Sequence, residues 1–150
     1  MRFYIATDHA GYAVKAYIKE LLTDKGHTVI DLGPDSADRV DYPDFGRTCA
    51  EAVRDDAGSY GIVVCGTGIG ISISANKVPG IRAALCHDAY TAAMARAHND
   101  AQIVAFGERV VGRGVIESIL DAFIMTEFEG GRHAGRVEKI NAIDREYKSV

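Results

Sequence analysis

The sequence predicts an α/β protein: a doubly wound, Rossmann-like three-layer αβα sandwich built on a five-stranded parallel sheet. Short apolar runs alternate with longer segments of helical period, the pattern of strands joined by crossover helices. Those runs are apolar without alternation, as expected of strands covered on both faces. The chain has 150 residues, 47% hydrophobic and 25% charged, which fits one globular domain over residues 1–150.

The first strand is read at Phe3–Thr7. Val14, Tyr17, Ile18, Leu21 and Leu22 then recur at i, i+3, i+4, i+7 and i+8, an amphipathic helix stopped near Gly26. A second strand, Thr28–Leu32, is followed by a polar loop over Gly33–Tyr42. A helix from Pro43 or Asp44 to about Ala57 has proline in its first turn. Gly61–Cys65 is the third strand and feeds the turn Gly66-Thr67-Gly68-Ile69-Gly70, with a helix expected near Ile71. Arg82–Cys86 is the fourth strand, an alanine-rich helix runs from Asp88 to about His98, and Gln102–Phe106 is the fifth strand. Val115 to Ile124 and Val137 to Tyr147 mark two C-terminal helices, punctuated by Gly130-Gly131.

Composition narrows the function classes. The net charge is −4, so there is no general basic field to hold nucleic acid or an anionic membrane. An anionic ligand must be small and met by a few local cations. Residues 57–76 carry no charge, about a membrane-spanning length. Their five glycines, with Ser59, Thr67, Ser72, Ser74 and Asn76, fit a buried strand and a glycine-rich turn better than a span. Cys49, Cys65 and Cys86 are widely spaced, with no CxxC pair, which points to free thiols in a reducing compartment. Asp8 and His9 arrive too early for a secretory leader.

Ligands of doubly wound sheets sit beyond the carboxyl ends of the strands, where strand order reverses. Asp8 and His9 follow the first strand; Asp8 suits both helix capping and ligand binding. The glycine turn after the third strand lets backbone amides approach a phosphate or an oxyanion. It lacks the Gly-Lys-Ser/Thr of a nucleotide P-loop, and its spacing is GxGxG rather than GxGxxG. Cys65 stands at that strand end, where a thiol facing a helix N-terminus ionises more readily. Cys49 and Cys86 read as small core hydrophobes. Arg132 and Arg136 share a face if helical, and suit either a phosphate clamp or a solvated basic turn. Arg109 carries the same ambiguity, and His98 near a helix end is open to a capping role or a catalytic one. No HExxH or Cys/His ligand set appears, so no metal site is expected.

As a set, these residues resemble ribose-5-phosphate isomerase type B. The resemblance rests on TDHAG at 7–11, YPDF at 42–45, CGTGIG at 65–70, SANK at 74–77, GIRA at 80–83, HNDA at 98–101 and GGRH at 130–133. It covers essentially the whole chain; Gln102 departs from the asparagine expected there. The resemblance implies interconversion of ribose 5-phosphate and ribulose 5-phosphate in the non-oxidative pentose phosphate pathway, in the cytoplasm, without metal or organic cofactor. Cys65 would be the base moving a proton between C1 and C2; Ile71 occupies the place where some members carry a glutamate base. His98 would open the furanose ring, helped by Thr67. Asp8, Asn99 and Tyr42 would meet the sugar. Gly66, Thr67, Gly68, Ile69 and Gly70 would hold the enediolate oxygen, and His9, Arg109, Arg132 and Arg136 the phosphate. The implied assembly is a homodimer, or a pair of such dimers, its active site shared between subunits, with His98, Asn99 and Arg109 arriving from the second subunit.

Overall fold

The computed structural model describes residues 1–147; the last three positions of the domain expected over 1–150 lie outside that range. The strands are β1 (Arg2–Thr7), β2 (Thr28–Asp31), β3 (Tyr60–Cys65), β4 (Ala83–Leu85) and β5 (Ile103–Gly107). The helices are α1 (Tyr12–Asp24), α2 (Tyr42–Asp55), α3 (Ile69–Ala75), α4 (Ala89–Asn99), α5 (Arg113–Met125) and α6 (Arg132–Tyr147). All strand pairs are parallel, in the order β2-β1-β3-β5-β4. The doubly wound sandwich expected from the sequence is therefore the fold.

Right-handed crossovers follow from that order. The connections through α1 and α4 run one way across the sheet and those through α2 and α3 the other, which puts the pairs on opposite faces. Strand side chains divide accordingly. Phe3, Ile5, Ile62, Val64, Val104 and Phe106 form one core with α1, α4 and α5. Ala6, Val63, Cys65, Ile103 and Ala105 form the other with α2 and α3. The chain order reverses between β1 and β3, so their carboxyl ends form the crevice where ligand chemistry is expected.

Three elements depart from their expected bounds enough to matter. α3 begins at Ile69 rather than Ile71, so the glycine turn runs directly into it. α6 begins at Arg132, five residues before the apolar pattern announces it, because His133 is buried and its ring stacks on His98 of α4, centroids 4.2 Å apart. β4 keeps three of its five expected residues: the Arg82 side chain turns to the Asn99 and Asp100 carbonyls, and Asp88 already begins the cap of α4. Among the described residues no helix is long and apolar enough to cross a membrane.

Candidate active site

At the carboxyl end of β3 the backbone is shaped around one sulfur. Cys65 Sγ accepts the amide N–H of Gly68 at 3.1 Å. Gly68 adopts φ +77°, and a Cβ there would fall 2.6 Å from both Leu85 Cδ1 and the Phe106 carbonyl carbon. Only glycine makes this turn without strain. Two residues on, a Cβ on Gly70 would lie 2.5 Å from Cζ of Tyr42, so the Tyr42 ring rests on the Gly70 backbone. The hydrogen-bond ladder of α3 starts with Ser72 donating to the Gly68 carbonyl at 3.2 Å. That leaves the Gly70 and Ile71 amides without intrahelical partners. Thr67 is exposed, and its hydroxyl accepts from the Ile69 amide at 3.3 Å.

The neighbouring strand ends close around this turn. The Asp8 amide donates to the Val64 carbonyl at 3.1 Å. Asp8 Oδ1 accepts the Ala10 and Gly11 amides at 2.9 and 3.1 Å, so the carboxylate closes the turn ahead of α1, whose N-cap is Gly11 rather than the expected Asp8. Its second oxygen has no hydrogen bond among the described residues. His9 is half-buried, with Nδ1 3.2 Å from the Val40 carbonyl oxygen. The Arg109 amide donates to the Gly66 carbonyl at 3.1 Å, and its guanidinium lies against Gly66. Arg109 thus stands with Cys65 in the same chain, which corrects its expected grouping with His98 and Asn99. Topology requires this, because the residue follows β5.

Cys65 is 3% exposed, yet an amide is aimed at it, so the sulfur has a polar partner within its apolar surroundings. Cys49 and Cys86 match their core reading, and burial pushes these thiols up to about 12 and about 11.

The remaining candidates gather at the opposite end of the sheet. His98 and Asn99 close α4, whose Arg96 donates to the Tyr60 hydroxyl at 3.2 Å, beside the first residue of β3. β3 has six residues and spans on the order of 15 Å at about 3.3 Å per residue, so Cys65 and His98 of one chain cannot touch a common substrate carbon. Arg132 and Arg136 lie on α6 beside His98, one helical turn apart, both exposed. The structure therefore brings Asp8, His9, Tyr42, Cys65–Gly70 and Arg109 to one end, and His98, Asn99, Arg132 and Arg136 to the other.

Two residues without an assigned role complete the second group. His133 is 5% exposed; its Nε2 stands 3.4 Å from Glu129 Oε2 and 3.4 Å from Arg132 Nε. Glu129 Oε2 is 4.0 Å from His98 Nε2. Burial first, then the nearby His98 and Arg132, hold the His133 imidazole below the ordinary histidine value. The i,i+4 spacing of Glu129 and His133 was visible in the sequence, but nothing there linked the pair to His98.

The sequence pattern of the ribose/galactose isomerase family matches residues 3–140. The chain belongs to this family. Ribose-5-phosphate isomerase B of Escherichia coli is 46% identical over 138 residues, covering 92% of this chain and 93% of that protein. D-erythrulose-4-phosphate isomerase of Pectobacterium atrosepticum is 45% identical, covering 96% of this chain and 95% of its own. Among solved structures, ribose-5-phosphate isomerase B of Clostridium thermocellum superposes with a TM-score of 0.96 at 53% identity, covering 98% of this chain and 99% of that one. A ribose/galactose isomerase fold thus carries both residue groups described above.

Proposed function

We propose that the chain is an aldose-ketose isomerase domain that interconverts D-ribose 5-phosphate and D-ribulose 5-phosphate through an enediolate. The observation that carries this reading is the Gly68 amide 3.1 Å from Cys65 Sγ, at the crevice between the ends of β1 and β3. The amide gives the sulfur a polar partner at the place where the base must stand, and a cysteine sulfur is an intrinsically reactive group for such a step. Cys65 takes the C2 proton of the open-chain aldose and returns it to C1. Amides of the Gly66–Gly70 turn hold the oxygen that becomes negative, the role preorganised donors play in such reactions. No step needs a metal or an organic cofactor to take up that charge.

His98 opens the furanose ring, with Thr67 assisting. Asp8, Tyr42 and Asn99 meet the sugar hydroxyls. His9, Arg109, Arg132 and Arg136 hold the phosphate, whose binding energy orients the reacting carbons. Because the two groups lie at opposite ends of the sheet, the centre is completed by a second copy, each copy giving its Cys65 end to one centre and its His98 end to the other. Two such centres per homodimer follow from two-fold symmetry. The three free thiols support a reducing, cytoplasmic location, and the place of the reaction is the non-oxidative pentose phosphate pathway.

The direct test measures ribulose 5-phosphate formed from ribose 5-phosphate by the wild type and Cys65→Ala, with erythrulose 4-phosphate and allose 6-phosphate as competitors. The expected result is the highest kcat/KM on ribose 5-phosphate and a loss of about 10²- to 10⁴-fold in the variant. Full activity in Cys65→Ala removes the proton-transfer assignment.

A further inference from the structure

The group around His98 contains one buried titratable side chain that the mechanism above leaves idle. The His133 ring lies 4.2 Å from that of His98, with planes 10° apart. His133 also touches the phosphate side of the site through Arg132, at 3.4 Å. His98, Glu129 and His133 carry donor atoms within 4.8 Å of one another, so a shared metal is the first reading to weigh. The stack argues against it. A metal bound by imidazole lies near the ring plane, and two nearly parallel planes separated by most of 4.2 Å cannot both contain one ion. Parallel stacking instead suits fixing the direction of a ring.

We propose that His133 is a positioning residue for ring opening: its buried imidazole holds the His98 ring by stacking. The proposal rests on the isomerase reading above. In the step it serves, the C1 hydroxyl proton passes to a His98 nitrogen as the C1–O4 bond breaks. A proton is returned to O4, leaving an aldehyde at C1 and a hydroxyl at C4, with His98 unchanged. Such a transfer needs the nitrogen within hydrogen-bond reach of the ring atoms. The His98 ring makes no hydrogen bond within 3.5 Å among the described residues, so packing must hold it. The charged groups facing His133 are Glu129 before α6, Arg132 and Arg136 on α6, and His98 from α4. Burial keeps the His133 ring neutral at neutral pH, so its role is to aim its neighbour rather than to carry the proton.

Ribulose 5-phosphate separates this role from a general structural one. It is acyclic, because its C5 oxygen carries the phosphate, so exchange of its C1 hydrogen with deuterated water needs the base and the amide turn but no ring step. NMR of that exchange, run beside turnover of ribose 5-phosphate, reads the two functions independently. For His133→Ala, turnover should fall by about 10²-fold, the cost of a misplaced catalytic group, while exchange stays within about twofold of wild type. His133→Phe, which restores a buried ring to stack on His98, should recover most of the turnover. The proposal is overturned if His133→Ala turns over normally, if exchange falls in step with turnover, or if the phenylalanine variant behaves like the alanine one. A wild-type chain lacking both turnover and exchange fails the isomerase reading itself, a different result from any of these.

Discussion

The two ends of the sheet are built from different materials. At the carboxyl end, backbone does most of the work: Gly68 donates to Cys65, Gly70 carries the Tyr42 ring, and the Ala10 and Gly11 amides donate to one Asp8 oxygen. At the amino end, side chains do it, with His98, Glu129, Arg132 and His133 joined across α4 and α6. A backbone site tolerates few substitutions but sits rigidly on the strands. A side-chain site depends on what packs behind each ring and guanidinium, so its geometry answers to changes one contact away.

The largest expected effect tests whether the two ends serve one centre. Cys65→Ala and His98→Ala should each lose about 10²- to 10⁴-fold in activity. Chains of both kinds, unfolded together and refolded, should regain about a quarter of wild-type activity, since half of the dimers are mixed and each holds one intact centre. No regain, with mixed dimers present by native mass spectrometry, breaks the comparison.

A pair of glycine substitutions probes the difference in materials. Gly68→Ala forces a Cβ to within 2.6 Å of Leu85 and of the Phe106 backbone at φ +77°. It should cost about 1–3 kcal/mol of stability and shift the amide that faces Cys65. Gly135, within α6, has open space where its Cβ would be. Gly135→Ala should therefore gain about 0.5–1 kcal/mol from helix propensity alone. Thermal denaturation of both variants measures the contrast, and equal effects would erase it.

The smallest effect concerns pH. His133 and His27, both at the amino end, are held below the ordinary histidine value of 6.5, chiefly by burial. The unfolded chain then takes up these protons first as pH falls, so the stabilisation is complete above 6.5 and declines below it. Tm should drop between about pH 7 and pH 5, and His133→Phe should flatten part of that slope. A slope unchanged in that variant places the sensitivity elsewhere.

The strands were legible because parallel strands are buried on both faces, and runs such as IVVC at 62–65 advertise that. α6 was legible only from Val137 onward, because Arg132, Gly135 and Arg136 give no apolar period; the contact that makes the segment helical is a ring from α4. Cys65 and its glycine turn could be read because a strand end, a thiol and three glycines are contiguous in the chain. The partition of the site was readable in principle. A residue after a strand lies at the carboxyl end and one closing the next helix at the amino end, which separates Cys65 from His98 and puts Arg109 with Cys65. His133 and Glu129 gave no comparable signal, since their importance comes from a contact about thirty residues away in sequence, beyond any local spacing rule.

The distance between Cys65 and His98 within one polypeptide has a consequence for how this catalyst switches on. Under the pairing proposed above, a solitary copy fresh from synthesis would hold every reactive group yet transform nothing, and competence would arrive only on pairing. Dilution should therefore silence it before heat does, and its specific activity should climb with concentration until dimerisation saturates.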